Sequence, residues 1–354
     1  MSFVGAGTGY WPTMRVVVTG ASGNVGTSLL EVLVADPAIS SVAGLARRVG
    51  RAMPFPQVEW VAGDVATHPL TELFSNADAV VHLAWAIQPS HDEARLWRTN
   101  VMGTRRVVEA AAAAGVPRLV YASSVGAYSP APYEPRVDET HPTDGVATSF
   151  YSRHKATVEW YIDRFEEANR DMAVARVRPA LIFKREAASG IRRLFLGRFF
   201  PGGVFRRGAL PALPLPRELR FQAVHSSDVA RACRALLPTA QRGAFNLAAE
   251  PTLDSARVAE MLGTRLAAVP TGLVRSLVAA TWRLHSQPTP EGWLDMATSV
   301  PLMDSSRARR ELGWAPRVDA VTALEHLFEG LVEKASLPTP SLGTWGSPVP
   351  RSMT

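Results

Sequence analysis

The feature that most constrains the fold of this chain is a glycine-rich turn near its start, between a strand pattern and a helix pattern. A β-branched run over Met14–Thr19 predicts a strand, and apolar residues at helical spacing over Asn24–Val34 predict a helix. Gly20 and Gly23 lie between these two patterns, and Gly26 lies within the helix pattern. In such a unit the first glycine allows the tight turn, the second lets the backbone approach a pyrophosphate, and the third lets the helix pack closely on the strand. The motif therefore predicts a dinucleotide-binding βαβ unit.

Strand and helix patterns alternate through the next 150 residues or so of the chain. Further strands are predicted at residues 41–46, 58–62, 79–84, 118–123, 173–178 and 244–247. Most are separated by helical patterns such as 93–114 and 151–169. Several strands are continuous apolar runs, which is typical of strands covered on both faces. The alternation predicts an α/β fold, a doubly wound parallel sheet (Rossmann) with a smaller, irregular C-terminal substrate region.

The composition along the chain predicts four parts. Prolines and glycines crowd residues 201–216, and the strand pattern lapses from about residue 180 until residue 244, whereas helical patterns return at 255–262, 273–284 and 318–332. The ends lack periodicity, which favours disorder. The predicted parts are a disordered extension (1–13), a dinucleotide-binding domain (14–180 plus 224–250), a substrate-binding region (181–223 plus 251–335) and a disordered tail (336–354).

Composition excludes several classes of protein. A chain with 47% hydrophobic and 20% charged residues is not predominantly disordered. No apolar run approaches the roughly 18 residues of a spanning helix, and the first residues lack a secretory signal pattern. Cys233 is the single cysteine, so no internal disulfide and no cysteine-built metal site is expected. We expect a cytoplasmic protein that spans no membrane and holds no metal.

The net charge of +6 comes from one segment of the chain. Residues 184–220 contain Lys184 and eight arginines against two glutamates, so the rest of the chain is nearly neutral. This distribution does not resemble a nucleic-acid-binding module, and no nucleic-acid partner is expected. Within the segment, residues 191–200 mix arginines with bulky apolar residues. A surface helix is the favoured interpretation, and a lid over an apolar substrate, a dock for an acidic carrier protein and a membrane-surface patch remain alternatives.

The end of the second predicted strand bears on the choice of cofactor. An acidic residue that binds the adenosine ribose is expected about 20 residues after the glycine motif. This chain has Ala46 there, followed by Arg47 and Arg48. Arginine in this place suits a 2′-phosphate and favours NADP over NAD. Solvated loop arginines are the alternative interpretation.

A candidate catalytic group follows further along the chain. Tyr151 and Lys155 are four residues apart on a predicted helix, so their side chains share one face, where an ammonium can stabilise a tyrosinate. Ser123 and Ser124 follow the fifth strand, at the sheet edge where open α/β sheets bind ligands. A hydroxyl there can hold a substrate carbonyl while Tyr151 exchanges the proton. The alternative for the serines is a turn that ends the strand.

Together these motifs resemble an extended short-chain dehydrogenase/reductase of the NAD-dependent epimerase/dehydratase family. The similarity runs from Met14 to about Leu331, through TGASGNVG, GDV, VVHLAW, TNVMGTRRVVEAA, VYASSVGAY, YSRHK, VRP, VHSSDVARA, FNLA and DSSRARRELGW. The resemblance implies that Ser124, Tyr151 and Lys155 are catalytic. It also implies a homodimer built through the two helices predicted at 93–114 and 151–169.

The glycine motif, the arginine pair and the resemblance together give a set of expected cofactor-binding residues. By resemblance, Asp64 and Val65 flank the adenine, Ala84 lines the pyrophosphate and ribose, Asn100 supports the active-site backbone, and Lys155 also binds the nicotinamide ribose. The full set is Gly20, Ser22, Gly23, Asn24, Val25, Gly26, Arg47, Arg48, Asp64, Val65, Leu83, Ala84, Trp85, Asn100, Lys155, Pro179 and Ile182.

Two departures from the family pattern concern the substrate. Sugar-nucleotide members carry a diphosphate-binding arginine four residues before the histidine that corresponds to His225, where this chain has Phe221. Arg220 is adjacent, but neighbouring residues of a strand face opposite sides. The usual Gly-Pro after the nicotinamide strand is replaced by Lys184-Arg185. Both departures disfavour a nucleotide-sugar substrate.

We therefore predict an NAD(P)-dependent oxidoreductase, a ketone reductase or secondary alcohol dehydrogenase, acting on a largely apolar small molecule. One alternative is an epimerase or dehydratase of a nucleotide sugar that retains its NAD. The other is a non-catalytic NADP-sensing regulator.

Overall fold

A parallel sheet of seven strands lies at the centre of the computed structural model, which describes residues 13–87, 90–197 and 201–343. The strands of the described residues are β1 Met14–Thr19, β2 Ile39–Ala46, β3 Glu59–Ala62, β4 Ala79–His82, β5 Arg118–Ala122, β6 Ala173–Pro179, β7 Leu181–Phe183, β8 Ala212–Pro216, β9 Arg220–His225, β10 Gly243–Leu247, β11 Ala249–Asp254 and β12 Arg265–Val269. Their α-helices are α1 Asn24–Val34, α2 Leu70–Phe74, α3 Glu93–Trp97, α4 Gly103–Ala113, α5 Phe150–Ala168, α6 Ala188–Ile191, α7 Ser226–Leu236, α8 Ser255–Met261, α9 Thr271–Arg283, α10 Gly292–Ala297, α11 Ser306–Leu312 and α12 Ala320–Glu333.

The strand order of the central sheet is β10-β6-β5-β4-β1-β2-β3, and all neighbouring pairs are parallel. The predicted doubly wound parallel sheet is thus confirmed. The chain winds outward in opposite directions from β1 and from β4. The carboxyl ends of these two strands therefore border the crevice in which such sheets bind ligands.

Alternating side chains of the strands produce two buried layers. Val16 and Val18 of β1 pack with residues of α1, α7 and α11, whereas Val17 packs on the other face with residues of α2, α4 and α5. All three valines are fully buried. Because both faces of the sheet are covered by helices, the strands are apolar throughout rather than alternating.

The helix predicted at 93–114 is divided in the structure. A π-helical turn over Arg98–Met102 separates α3 from α4. In this turn the side chain of Asn100 is fully buried and forms two hydrogen bonds to the backbone of Ala86, with Oδ1 accepting from the amide at 2.7 Å and Nδ2 donating to the carbonyl at 3.1 Å. Asn100 therefore fixes the backbone that follows β4.

The prediction that strands lapse between β6 and residue 244 is wrong. That stretch contains β7, β8 and β9; β7 and β9 join β11 in a three-stranded sheet, and β8 pairs with β12. These strands are three to six residues long, and β8 contains two prolines, so their pattern is weak. Leu324, Leu327 and Leu331 of α12 belong to the buried cluster over this smaller sheet.

The predicted tail is wrong for its first part, because residues 336–343 are packed against the rest of the molecule. Thr339 and Leu342 are 3% and 4% exposed. The remainder of the tail, and residues 1–12 of the predicted extension, lie outside the described residues. Among the described helices, none combines the length and the apolar character needed to cross a membrane.

Candidate active site

The glycine turn after β1 forms a tight cradle. Gly20 has φ +73°, and a Cβ atom there would lie 2.6 Å from the amide nitrogen of Ala84. A Cβ atom on Gly26 would lie 2.4 Å from the carbonyl oxygen of Gly20, so a larger residue at either position requires the backbone to shift.

Helix α1 begins directly after this turn. Its N-cap residue, Gly23, provides no side-chain hydrogen bond to the first amides of the helix, and Oδ1 of Asn24 is buried without a partner among the described residues. Free amides at a helix N-terminus bind anions. The turn and the helix start therefore fit the pyrophosphate of a dinucleotide.

Residues after β2, β3 and β4 extend this site on the adenosine side. Ala46 ends β2 and is buried, and Arg47 and Arg48 follow as exposed side chains with no hydrogen bond or ion pair to any described residue. Asp64 lines the same cavity, and its Oδ1 accepts a hydrogen bond from the amide of Ala66 at 2.9 Å. Two unpaired guanidinium groups remain available to a phosphate at this edge.

Tyr151 and Ser124 meet at the wall of the cavity. Tyr151 lies in the first turn of α5, and Ser124 caps the short helical turn after β5 by accepting a hydrogen bond from the amide of Gly126 at 3.0 Å. Burial raises the pKa of Tyr151 to about 12, and the neighbouring Ser124 hydroxyl acts in the opposite direction. Tyr151 is therefore a phenol at neutral pH, the state that can donate a proton.

Lys155 lies one helical turn further along α5 and is also buried. Its Nζ donates to the carbonyl oxygen of Ala122 at 2.6 Å and to the hydroxyl of Tyr121 at 3.2 Å, and it lies 3.5 Å from the ring centroid of Trp85. Burial lowers the pKa of Lys155, although Glu159 opposes this. Nζ of Lys155 lies 5.9 Å from the ring centroid of Tyr151, so the two side chains share one face of α5.

Glu159 is a residue of this site that the sequence analysis missed. It is fully buried one turn after Lys155, accepts a hydrogen bond from Ser123 Oγ at 2.5 Å, and forms ion pairs with Arg176 and Arg178 at 3.0 and 2.9 Å. Burial alone would raise its pKa, but the two arginines outweigh burial and lower it to about 2. The spacing of four residues after Lys155 and the Arg-x-Arg pattern of β6 were the available signals.

The substrate side of the cavity is largely apolar. The cavity that Tyr151 lines measures about 1050 Å³, and its walls beyond Tyr151 include Leu181, Phe195, Phe221 and Trp293. Arg220 also borders it but is exposed, with its guanidinium carbon 5.9 Å from the ring centroid of Tyr133.

Two indole N–H groups near Tyr151 have no partner. Nε1 of Trp85 and Nε1 of Trp293 are both buried without a hydrogen bond to any described residue. Their rings lie 6.0 and 4.9 Å from the ring of Tyr151, centroid to centroid. The wall beside the ring of Tyr151 is therefore largely apolar. It carries two indole N–H donors that have no acceptor among the described residues.

The structure brings nearly all of the predicted site residues to this cavity. The predicted residues that line it, or the smaller cavity that shares Gly20 and Arg47 with it, are Gly20, Ser22, Gly23, Asn24, Val25, Gly26, Arg47, Arg48, Asp64, Val65, Leu83, Ala84, Trp85, Ser124, Tyr151, Lys155, Pro179 and Ile182. Asn100 does not line it and acts through the backbone of Ala86. Wall residues that the sequence did not indicate include Trp293 and the segment 339–343, whereas Arg193 belongs to the segment 191–200, for which a lid is one of the alternatives.

Comparison with a family model relates this arrangement to known proteins. The model described as the NAD dependent epimerase/dehydratase family matches residues 16–248. An uncharacterised protein of Mycobacterium tuberculosis (strain ATCC 25618 / H37Rv) is 30% identical over 316 residues, which cover 88% of this chain and 29% of that protein. The chain therefore spans less than a third of the length of this curated relative.

Solved structures with similar folds include enzymes of nucleotide sugars. UDP-glucose 4-epimerase of Thermotoga maritima, solved with UDP-glucose, has a TM-score of 0.70 and 17% identity, covering 91% of this chain and 99% of that one. MoeE5, solved with UDP-glucuronic acid and NAD, has a TM-score of 0.65 and 21% identity, covering 90% of this chain and 99% of that one. At these identities the likeness concerns the fold.

Proposed function

The chain belongs to the NAD-dependent epimerase/dehydratase family, and from this we propose that it is an NAD(P)-dependent oxidoreductase that interconverts a ketone and a secondary alcohol in a largely apolar small molecule. The observation that carries the proposal is the shared wall of one cavity: Ser124, Tyr151 and Lys155 line it together with the glycine turn and a group of apolar side chains.

The proton-transfer role falls to Tyr151. A bound nicotinamide supplies or accepts the hydride at the substrate carbon. Ser124 holds the substrate oxygen, and Tyr151, whose pKa is raised to about 12, donates its proton to that oxygen in the direction of reduction. Lys155 lies one turn away from Tyr151, where its ammonium can bind the ribose of the cofactor and stabilise the tyrosinate once the proton has left.

The apolar walls support the substrate class. Phe221 and Phe195 line the cavity, and the exposed Arg220 lies beside Tyr133. A diphosphate bound beside these phenylalanines would lose its hydration and would find no buried guanidinium there to pair with. Burying an unpaired charge in this way costs free energy. A hydrocarbon skeleton with one or two carbonyl or hydroxyl oxygens fits better, because the unused indole donors of Trp85 and Trp293 can each bind one acceptor.

NADP is the cofactor we propose within the nicotinamide dinucleotides. Arg47 and Arg48 directly follow β2 and have no hydrogen bond or ion pair to any described residue, and a 2′-phosphate can bind both guanidinium groups. NAD remains the alternative, because the matching family model is described as NAD dependent.

The test is a turnover assay on the purified chain. Nicotinamide absorbance is followed with NADPH or NADH and a panel of bulky apolar ketones, with UDP-glucose as the competing substrate class. We expect ketone-dependent oxidation of the nucleotide that Tyr151→Phe nearly abolishes. Epimerisation of UDP-glucose without net oxidation would favour the retained-NAD alternative, and tight nucleotide binding without turnover of any panel member would favour the sensor.

A further inference from the structure

The segment after α12 crosses from the substrate region to the glycine turn, and residues 337–343 are here called the C-terminal strap. Helix α12 ends at Glu333 and is capped by Lys334, which has φ +58°, and the amide of Ala335 donates to the carbonyl of Gly330 at 2.9 Å. The strap closes on itself, because the amides of Leu342 and Gly343 donate to the carbonyl of Thr339 at 3.2 and 2.7 Å.

The strap is anchored to the glycine turn through two hydroxyl groups. Oγ1 of Thr339 donates to the carbonyl oxygen of Ser22 at 2.9 Å and accepts from the amide of Leu342 at 3.2 Å. The hydroxyls of Ser22 and Ser341 lie 3.0 Å apart. Thr339 and Ser341 of the strap are therefore connected to Ser22, in the loop between β1 and α1. This loop is expected to bind the pyrophosphate.

A second anchor comes from the arginine-rich segment. Arg193, in the π-helical turn Arg192–Leu196, donates from its two terminal nitrogens to the carbonyl of Ser341 at 2.6 Å and to the carbonyl of Gly343 at 3.1 Å. Gly190 leaves room for this contact, since a Cβ atom there would lie 3.2 Å from the Ser341 carbonyl oxygen. The strap is thus held from both parts of the molecule.

The strap lines the cavity but does not fill it. Residues 339–343 share the cavity wall with Gly20, Gly23 and Arg48. Burial and the nearby Arg48 guanidinium both lower the pKa of Arg193, so two like charges lie close together on that wall. A phosphate beside these two guanidinium groups would relieve their repulsion.

We propose that the C-terminal strap and Arg193 form an additional wall of the dinucleotide site, which encloses the bound cofactor so that its release requires the strap to detach from Ser22. This inference rests on the proposed function. It assigns to the end of the chain, and to one arginine of the 184–220 segment, a role in holding the cofactor.

The experiment compares the rate of nucleotide release from three chains. The full chain, a chain ending at residue 343 and a chain ending at residue 336 are loaded with NADPH, and release is followed by stopped-flow fluorescence after mixing with excess NADP. Loss of the strap removes several hydrogen bonds, so we expect release to be about 10- to 100-fold faster from the chain ending at 336. The chain ending at 343 keeps the strap and should match the full chain.

Thr339→Val keeps the fold and the side-chain shape while removing the hydroxyl that bonds to Ser22. We expect it to accelerate release about 5-fold, the effect of losing the bond to Ser22, because the amide of Leu342 still donates to the carbonyl of Thr339. Thr71→Val, at an exposed position of α2, is the matched control. If circular dichroism shows that the chain ending at 336 does not fold, the release rate of Thr339→Val alone tests the proposal.

Each outcome separates the strap from the proposed function. If nucleotide binds to the full chain and leaves all variants at the same rate, the strap proposal is wrong and the proposed function stands. Slower release or tighter binding without the strap would show that it obstructs the site, which also overturns the proposal. If the full chain binds neither NADPH nor NADH, the proposed function fails and the strap proposal fails with it.

Discussion

Burial in the cavity wall, rather than the sequence motif, sets the direction in which the pKa of Tyr151 is shifted. The tyrosine and lysine of the YSRHK segment lie on one face of α5, but the structure directs Lys155 to Ala122 and Trp85 and raises the pKa of Tyr151 to about 12. A buried phenol of this kind holds its proton until an acceptor oxygen arrives. The indole of Trp85, in contact with both side chains, is the third member of this group.

Replacing Tyr151 with phenylalanine keeps the ring and removes the transferable proton. We expect turnover to fall by about 10²- to 10⁴-fold, the usual contribution of general acid–base catalysis. Nucleotide affinity, measured by calorimetry, should change little. Tyr161→Phe on the same helix is the control, because Tyr161 contacts Glu109 and Arg105 outside the cavity. Equal turnover in Tyr151→Phe and the native chain would remove the tyrosine from the mechanism.

Arg48→Ala tests the preference for NADP. Loss of one arginine–phosphate contact should weaken NADP binding by about 1.5–3 kcal/mol and leave NAD binding nearly unchanged. Titration calorimetry with both nucleotides measures the difference directly. Arg51→Ala is the matched control, since Arg51 is an exposed arginine of the same loop. A native chain that binds NAD more tightly than NADP would contradict the proposed preference.

At the scale of elements, α5 and β6 are joined by a buried network of charged groups. Arg176 and Arg178 point from one face of β6 to Glu159, and Arg178 also donates to the hydroxyl of Tyr128 at 2.9 Å. The same carboxylate accepts from Ser123 at the end of β5. The network therefore holds the helix that carries Tyr151 against the strand end that carries Ser124.

Glu159→Gln leaves the buried guanidinium of Arg178 without its counter-charge and removes one of the three carboxylates paired with Arg176. We expect the free energy of unfolding in urea to fall by about 3–5 kcal/mol, as for other broken buried ion pairs. Glu167→Gln, on the exposed side of α5, should change it by less than about 0.5 kcal/mol.

The pH dependence gives an independent check on the same network. The pKa of Glu159 is lowered from 4.5 to about 2, so its contribution to stability is complete above pH 4.5 and is lost as the pH falls towards 2. The difference in stability between the native chain and Glu159→Gln should shrink over that interval. An unchanged difference would contradict the assignment of the charge to Glu159.

At the scale of the whole molecule, the central sheet with its helices and the smaller sheet that follows β6 both border the cavity. Side-chain hydrogen bonds connect them beside it. Lys184, after β7, is buried and donates to the hydroxyls of Thr27 and Ser28 of α1 at 2.7 and 3.1 Å. Burial lowers its pKa to about 8. Lys184, which departs from the family pattern, thus fixes the start of the substrate region to the helix of the glycine turn.

The predicted homodimer would pack through the segments 93–114 and 151–169, and both carry exposed apolar side chains. Trp97, Met102 and Trp160 of these segments are 40%, 42% and 62% exposed. We expect sedimentation to show a dimer at micromolar concentration. Trp160→Glu should make the free energy of dimerisation less favourable by at least about 2 kcal/mol, the effect of losing a central aromatic contact. Leu277→Glu, an equally exposed apolar position on α9, should leave the dimer intact. A native chain that remains monomeric would contradict the prediction.

The sequence by itself determined the central sheet and most of the candidate site. The glycine spacing, the apolar strands and the Tyr–Lys spacing depend on residues close together in the chain, and local steric and helical rules are enough to interpret them. Only the tertiary structure shows which residues distant in the chain contact that site. The strap reaches Ser22 from more than 300 residues away, and Trp293 reaches Tyr151 across 140. The strap carries no periodic pattern, and α10, which carries Trp293, is only six residues long. The positions of both depend on side-chain contacts with distant elements, which local patterns do not encode.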